Sequence, residues 1–337
     1  MSGWVLSLSR SVSCIAFILI AMATAVSAQT SIGDVHISPR QRSITPAEPS
    51  REPHLPSGIG LIRSKVDLVM VPVTITDAMN RPVTGLEREN FELFENKQPQ
   101  EIKNFSSQDT PVSIGIIMDV SGSMANKIER AREAVRQFCD AANPQDEFFM
   151  ITFSDDPRLA SDFTQRPEEI QNALLNTYPK GRTSLLDAIY MAIHKMKDAR
   201  YSRRALLIIS DGGDNHSRYG ERDVKNAVKE ADVLVYAVGT YDRYATTQEE
   251  MLGPELLQNV SDVSGGQSYI LDSVAELPDV TRAIGTRLRH QYMLAYRPQG
   301  RSSDGKWRKI SVKLRLPKKF SSFLRVDARR GYYAAAP

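Results

Sequence analysis

The chain has 337 residues, of which 43 are basic and 40 acidic, and its formal net charge is +3. A hydrophobic content of 41% and a charged content of 25% are typical of a soluble globular protein and exclude a fibrous or wholly disordered chain. The near-neutral balance gives no electrostatic reason to expect nucleic-acid binding, and two cysteines are too few for a disulfide scaffold.

The amino-terminal segment has the pattern of a secretory signal peptide. An apolar run from Cys14 to Val26 follows Arg10 and is succeeded by small residues up to Ala28. This run is shorter than the roughly 20 apolar residues that a membrane-spanning helix needs. We therefore expect residues 1–28 to direct export and to be cleaved, which places the protein in the periplasm, at the envelope or outside the cell. An uncleaved anchor is the alternative, because one charge before the run is weak for such a signal.

The next segment, residues 29–60, is polar and rich in proline, which predicts a disordered linker. Short runs of branched, aromatic or alternating residues then predict strands on both sides of the middle of the chain. These strand-like runs are residues 66–77, 91–96, 101–106, 291–296, 310–316 and 324–328. Either set alone has too few strands to be stable. We therefore expect residues 61–110 and 291–334 to form one small all-β sandwich together.

The middle of the chain, residues 111–290, alternates apolar strands with amphipathic helices. Residues 113–120 are almost continuously apolar, as a strand covered on both faces should be. Residues 124–139 follow with apolar side chains at three- and four-residue spacing, which predicts a helix. The remaining predicted elements are strands at 147–154, 204–210, 233–239 and 268–272 and helices at 184–196, 221–231 and 274–290. This order predicts a doubly wound, Rossmann-like α/β sheet flanked by helices.

Oxygen-bearing side chains follow several of these strands. Asp119, Ser121 and Ser123 come directly after the first strand, Thr183 precedes a helix, and Asp211 follows another strand. Open α/β sheets bind ligands at the carboxyl ends of their strands, where such loops converge. A set of carboxylates and hydroxyls without thiolate or imidazole suits a hard divalent cation.

Each of these residues also has a simpler interpretation, which the sequence alone leaves open. Asp119 and Ser121 are favoured helix caps, as is Thr183, and Asp211 before Gly212 is typical of a turn. Two further groups of polar residues lie near these positions, one at the end of a nearby strand and one in the loop of Asp211. We interpret Asp155 and Asp156 as at most outer residues around the site, and Asp214 and His216 as solvated loop residues.

Five of these side chains together resemble the metal-ion-dependent adhesion site (MIDAS) of the von Willebrand factor type A (VWA) domain. They are Asp119, Ser121, Ser123, Thr183 and Asp211. The resemblance covers roughly residues 111–290, and the flanking segments are similar to exported VWA-related proteins of Acidobacteria. It implies that the five side chains hold one divalent cation. Mg²⁺ is the cation we expect, with Mn²⁺ or Ca²⁺ as alternatives. The resemblance further implies that a partner protein supplies an acidic side chain to the metal, and that the rim of the site contacts this partner.

Catalytic alternatives lack the residues they need. A haloacid-dehalogenase-like phosphatase requires a second aspartate two residues after the first, where this chain has Ser121. The sequence DVSGSM around the serines is not the G-x-S-x-G elbow of a serine hydrolase. We therefore expect a metal-dependent binding protein rather than an enzyme. The alternative function is a non-catalytic structural or assembly subunit of a larger envelope complex.

Overall fold

The computed structural model describes residues 68–175, 177–240, 248–298, 304–317, 319 and 322–334, which belong to one compact unit. The predicted signal peptide (1–28) and linker (29–60) lie outside the described residues. Nowhere in the described ranges is a helix both long and apolar enough to cross a membrane.

The first four strands come before the α/β region of the chain. They are β1 (Val69–Thr76), β2 (Phe91–Glu95), β3 (Gln98–Gln100) and β4 (Ile102–Ser106). The turn that joins β2 to β3 contains Asn96 and Lys97, both with positive φ. Because non-glycine residues adopt this conformation mainly in tight turns, the two-residue connection forms a hairpin between β2 and β3.

The middle of the chain forms a six-stranded sheet, as the sequence predicts. Its strands are β5 (Ser113–Asp119), β6 (Glu147–Phe153), β7 (Pro157–Thr164), β8 (Arg204–Ser210), β9 (Leu234–Thr240) and β10 (Gln267–Leu271). The strand order is β10-β9-β8-β5-β6-β7, and only the edge strand β7 is antiparallel to its neighbour. Every residue of β5 is buried because this strand lies inside the sheet and helices cover both faces.

Six helices of the described ranges flank this sheet. They are α1 (Ile128–Ala141), α2 (Pro167–Leu175), α3 (Leu185–Lys195), α4 (Glu221–Ala231), α5 (Gln248–Ser264) and α6 (Leu277–Arg289). The core on one face joins Ile116 of β5 to α1, α2 and α6, whereas Ile117 belongs to the core under α3, α4 and α5. Successive side chains of a strand point to opposite faces, so β5 contributes to both cores. The predicted doubly wound α/β fold is therefore confirmed.

The last four strands return to the first four. They are β11 (Tyr292–Tyr296), β12 (Trp307–Leu314), β13 (Arg325–Ala328) and β14 (Gly331–Tyr333). Two four-stranded antiparallel sheets result, with the orders β13-β1-β11-β4 and β14-β12-β2-β3. Both sheets contribute to one apolar core, which includes Val73, Leu93, Leu294 and Ile310. The all-β sandwich predicted from segments on both sides of the α/β region is therefore present.

A buried arginine joins the points where the chain enters and leaves the α/β region. The guanidinium group of Arg203 donates hydrogen bonds to Thr110 Oγ1 (3.0 Å), to the carbonyl of Leu288 (2.5 Å) and to Gln291 Oε1 (2.9 Å). Thr110 precedes β5, whereas Leu288 lies in the last turn of α6 and Gln291 directly precedes β11. Arg203 thus holds the two crossings together.

Candidate metal site

The three predicted loops meet at the carboxyl edge of the six-stranded sheet. Strands β5 and β8 are parallel neighbours in a register that pairs Met118 with Ile209, so Asp119 and Ser210 end adjacent strands. The loop before α3 is fixed to the end of β6, because the backbone N–H of Ser184 donates to the carbonyl of Ser154 (2.9 Å). The α/β topology thus brings loops that are far apart in sequence to one place.

Asp119 is the most enclosed of the five candidate ligands, with 0% of its surface exposed. Its Oδ1 accepts from the backbone N–H of Ser121 (2.9 Å) and its Oδ2 accepts from the hydroxyl of Ser210 (2.6 Å). Burial and the negative charge of Asp211 raise the pKa of Asp119 to about 7, although the hydrogen bonds from Ser121 and Ser210 act in the opposite direction. A carboxylate pair with this electrostatic cost is one that a bound cation would stabilise.

Ser121 and Ser123 lie on the turn that follows Asp119. Their hydroxyl oxygens are 3.0 Å apart, because Gly122–Met124 forms a single 3-10 turn that carries Ser123 back towards Ser121. Ser121 is buried, whereas Ser123 is exposed. The turn therefore presents two hydroxyl groups side by side, one of them at the surface.

Asp211 is buried beside a lysine that the sequence did not mark as part of the site. Asp211 Oδ2 lies 3.6 Å from Lys127 Nζ, and less than a tenth of the Asp211 side chain is exposed. Lys127 Nζ also donates to the carbonyl of Thr240 at the end of β9 (2.9 Å). The carboxylate of Asp211 thus has a cation on one side and, as the pKa of Asp119 shows, another carboxylate within electrostatic range.

Thr183 is buried and is held by its backbone. Its N–H donates to Asn215 Oδ1 (3.0 Å), and its carbonyl accepts from the N–H groups of Asn215 and His216 (both 3.1 Å). The adjacent Gly181 carbonyl accepts from the N–H of Gly122 (3.1 Å). Backbone hydrogen bonds therefore connect the Thr183 loop to the two loops that carry the other four candidate ligands.

The loop after β8 is tied to the start of α3 by carboxylates that the sequence analysis treated as solvated or did not consider. Asp214 Oδ2 accepts from the N–H of Leu186 (2.8 Å), and Asp187 Oδ1 accepts from the N–H groups of Arg218 (2.8 Å) and Tyr219 (3.0 Å). Asp214 therefore satisfies a free N–H group in the first turn of α3, a position where negative charge is favourable. The loops of Thr183 and Asp211 are thus braced as one unit.

The rim of the site carries both acidic and basic side chains. Asp155 Oδ1 accepts from the backbone N–H of Arg182 (2.9 Å), and Asp156 Oδ1 lies 3.2 Å from Arg218 Nη2. These four side chains are all at least half exposed. Gly181 packs closely on Asp155, since a Cβ at this glycine, where φ is +79°, would lie 2.5 Å from Asp155 Oδ2. Asp155 therefore shapes the Thr183 loop from outside the five candidate ligands.

The donor set fits a hard cation better than a soft one. It consists of two carboxylates and three hydroxyls, whose oxygens suit Mg²⁺, Mn²⁺ or Ca²⁺. Across the part of the chain that the structure describes, no group of three or more His, Cys, Asp and Glu side chains is placed to hold a metal ion. A cation at this edge would thus depend on hydroxyl groups and on the buried Asp119.

Comparison with known proteins identifies a family that one region of the chain matches. The family model of the von Willebrand factor type A domain matches residues 114–213. An inter-alpha-trypsin inhibitor heavy chain of Homo sapiens is 25% identical over 134 residues, which are 36% of this chain and 14% of that protein. A protein of Borreliella burgdorferi is 23% identical over 180 residues, 46% of this chain and 52% of that protein. The chain thus spans about half or less of the length of these two relatives.

The solved structures that this chain resembles are similarly distant in sequence. A von Willebrand factor type A protein from Catenulispora acidiphila has a TM-score of 0.47 and 12% identity, over 81% of this chain and 75% of that chain. Proximal thread matrix protein 1 from the mussel byssus, solved with a zinc-occupied MIDAS motif, has a TM-score of 0.47 and 15% identity, over 58% of this chain and 50% of that chain.

The family match falls on the region from β5 to the loop after β8, which contains all five candidate ligands. The chain therefore contains a von Willebrand factor type A domain.

Proposed function

We propose that this protein binds a protein ligand through a divalent cation held by Asp119, Ser121, Ser123, Thr183 and Asp211. The observation that carries the proposal is the buried carboxylate of Asp119, which lies within electrostatic range of Asp211 and directly before the paired hydroxyls of Ser121 and Ser123. Buried carboxylates that repel each other are costly unless a cation or a proton lies with them.

The residues of the proposed site have different roles. Asp119 is fixed by hydrogen bonds to both of its oxygens, from Ser121 and Ser210, so its position does not depend on a ligand. Ser123 is the exposed member of the set and marks the side from which a partner approaches. When bound, the cation supplies positive charge that attracts an acidic side chain of the partner. The rim residues Arg182 and Arg218 are exposed cations in the loops that carry Thr183 and Asp211, and they would contact that partner.

We further propose that the cation is Mg²⁺, because a small set of carboxylate and hydroxyl oxygens is what Mg²⁺ uses while it retains water. The proposal of a binding role rather than catalysis is supported by the site itself. Ser121 stands where a phosphatase of this strand-end type would carry its general acid.

The location of this activity follows from the amino-terminal sequence. The apolar run from Cys14 to Val26, with small residues after it, supports export through a signal peptide at residues 1–28. The proline-rich segment 29–60 would then separate the folded region from the envelope. We propose that the protein acts in the periplasm, at the envelope or in the medium.

Calorimetric titration of Mg²⁺ and Mn²⁺ into the metal-free purified protein tests the metal site. We expect saturable one-to-one binding that weakens by about a hundredfold or more in Asp119→Ala, since one of only two carboxylates is lost. The matched control is Asp156→Ala, which removes an exposed rim carboxylate and should change the affinity by less than about threefold. Equal affinity in the wild type and in Asp119→Ala would contradict the assignment.

Capture of envelope proteins on the immobilised protein tests the binding role. A partner that is retained in Mg²⁺ and released by a chelator, and that Asp119→Ala fails to retain, supports the proposal. A partner that remains bound in the chelator and to the variant would instead favour the alternative, a structural or assembly subunit whose contacts lie elsewhere.

A further inference from the structure

Lys127 is a buried cation whose charged end lies beside a candidate metal ligand. Only 10% of its side chain is exposed, and its Nζ contacts the carbonyl of Thr240 at 2.9 Å and Asp211 Oδ2 at 3.6 Å. A lysine is almost never this enclosed unless it is paired, because removing an ammonium group from water is costly. Among the described residues, the acidic side chain paired with Lys127 is Asp211, a candidate metal ligand.

The position of Lys127 at the start of its own helix does not explain why this residue is a lysine. Lys127 is the N-cap residue of α1, and its side chain makes no capping hydrogen bond. Helix N-termini favour acidic or small polar residues, because free N–H groups and the helix dipole produce a partial positive charge there. A lysine is therefore unfavourable at this point of the helix, and its stabilising contacts lie across the sheet at the ends of β8 and β9.

We propose that Lys127 is a built-in counter-cation of the metal site, which weakens the binding of the free cation and keeps the loaded site positive for an acidic partner. This inference rests on the proposed metal-dependent function and adds a positioning and specificity residue outside the five ligands. The family motif that the sequence matches does not include this residue.

The charges of the described side chains give the direction of the effect. The two negative charges of Asp119 and Asp211 would by themselves neutralise the two positive charges of a divalent cation. With the ammonium of Lys127 against Asp211, the loaded site retains one positive charge, which the carboxylate of a partner neutralises. Without Lys127, the loaded site is already neutral and gains less from a further carboxylate.

The contact with Thr240 adds a positional role. The same ammonium group that faces Asp211 is held by the last carbonyl of β9, so the distance between Asp211 and the end of the neighbouring strand is fixed by one side chain. Because the geometry and the charge are separable, a substitution that keeps a hydrogen-bond donor but removes the charge isolates the electrostatic effect.

The test uses Lys127→Gln, which can still donate to the Thr240 carbonyl, and Lys127→Met as a second variant if the first does not fold. Mn²⁺ affinity is measured by calorimetry, and acetate binding to the Mn²⁺-loaded protein is measured by the change in water proton relaxation. The matched control is Lys103→Met, which removes the same charge from the exposed strand β4.

We expect Lys127→Gln to bind Mn²⁺ about tenfold to a hundredfold more tightly than the wild type, since a like charge near the cation is removed. Acetate should bind the loaded variant several-fold more weakly than the loaded wild type. Lys103→Met should match the wild type in both measurements. Mn²⁺ affinity that is unchanged or lower in Lys127→Gln, or acetate binding that is unchanged, would overturn the inference.

The two proposals fail in different ways. If the wild type binds Mn²⁺ and Lys127→Gln binds it equally well, only the role of Lys127 is wrong. If the wild type does not bind Mn²⁺ and the variant does, Lys127 acts as inferred and is strong enough to exclude the free cation. If neither binds, the metal site and the role of Lys127 both fall.

Discussion

Replacement of Gly253 by alanine should destabilise the protein, although the same change in most helices is stabilising. Gly253 lies in α5, where alanine is favoured over glycine by about 1 kcal/mol. A Cβ at this position, however, would lie 2.7 Å from the carbonyl carbon of Gly212 and 2.8 Å from the carbonyl oxygen of Asp211. These are backbone atoms of the loop that carries a candidate ligand, so either the helix or the loop must move.

The expected magnitude follows from these two opposing effects. Overpacking costs about 1–3 kcal/mol, and contacts this close to backbone atoms correspond to the upper part of that range, about 2–3 kcal/mol. Subtracting the gain of about 1 kcal/mol in helix propensity leaves a net loss of about 1–2 kcal/mol in the free energy of unfolding. Gly285 in α6 is the matched control, because a Cβ there would meet its nearest neighbours, Phe138 O and Ala141 Cβ, only at 3.0 and 3.1 Å. We expect Gly285→Ala to change stability by less than about 0.5 kcal/mol, since the two effects nearly cancel.

Urea unfolding followed by circular dichroism measures both variants, and calorimetry measures their Mn²⁺ affinity. Because the clash at Gly253 falls on Asp211 and Gly212, we expect Gly253→Ala to bind Mn²⁺ at least several-fold more weakly and Gly285→Ala to bind it normally. A Gly253→Ala protein as stable as the wild type would show that α5 does not press on this loop, and the reasoning from the close approach would be refuted.

Three further predictions concern buried polar groups. Arg203→Met should lower the free energy of unfolding, measured by urea titration, by about 2–4 kcal/mol, because buried carbonyls lose their donor. The control Arg136→Met removes an exposed ion pair on α1 and should cost less than a quarter of that in the same titration. Ser210→Ala removes the hydroxyl that donates to Asp119 and should weaken Mn²⁺ binding by about tenfold or more without loss of fold, as calorimetry and circular dichroism would show together. Burial raises the pKa of the Cys139 thiol to about 12, so Ellman's reagent at about pH 8 should react with it only after unfolding, and rapid reaction of the folded protein would contradict its burial.

The elements that the sequence predicted are those whose local pattern is strong. The continuous apolar runs that became β5 and β8 needed no tertiary information, because only a strand covered on both faces tolerates them. The strand β7 was not predicted, since it is a partly exposed edge strand whose polar and apolar residues do not alternate regularly. The helix α5 was not predicted either, because Gly253 and Pro254 interrupt it and both are poor helix formers.

The predicted helix at 274–290 is present with a different start. The chain first forms a 3-10 turn at Val274–Glu276, and α6 then begins at Leu277 with Pro278 in its first turn. Proline is favoured at this position because its missing N–H would have no partner there. Such a boundary depends on one or two residues, which periodicity alone does not resolve.

In the candidate site, too, the sequence predicted the residues that a local pattern marks and missed those that only distant contacts bring in. The three loops could be placed from the sequence because parallel strands bring their carboxyl ends to one edge. Lys127 could not be assigned to the site, since its contact with Thr240 spans 113 residues and nothing in its neighbourhood marks it. Ser210 carries a weak signal, because it ends a buried strand directly before Asp211. Asp214 was interpreted as solvated, and only the packing of its loop on α3 shows its role.

The most direct test of the proposed metal site is a crystal structure of the protein grown with Mn²⁺, with diffraction data collected at the manganese absorption edge. We expect one strong anomalous peak among the three loops, with Lys127 still against Asp211. The manganese should be bonded to side-chain oxygens of the set Asp119, Ser121, Ser123, Thr183 and Asp211. A peak at a different set of side chains, or density for a well-ordered site without manganese at saturating concentration, would contradict the proposed site.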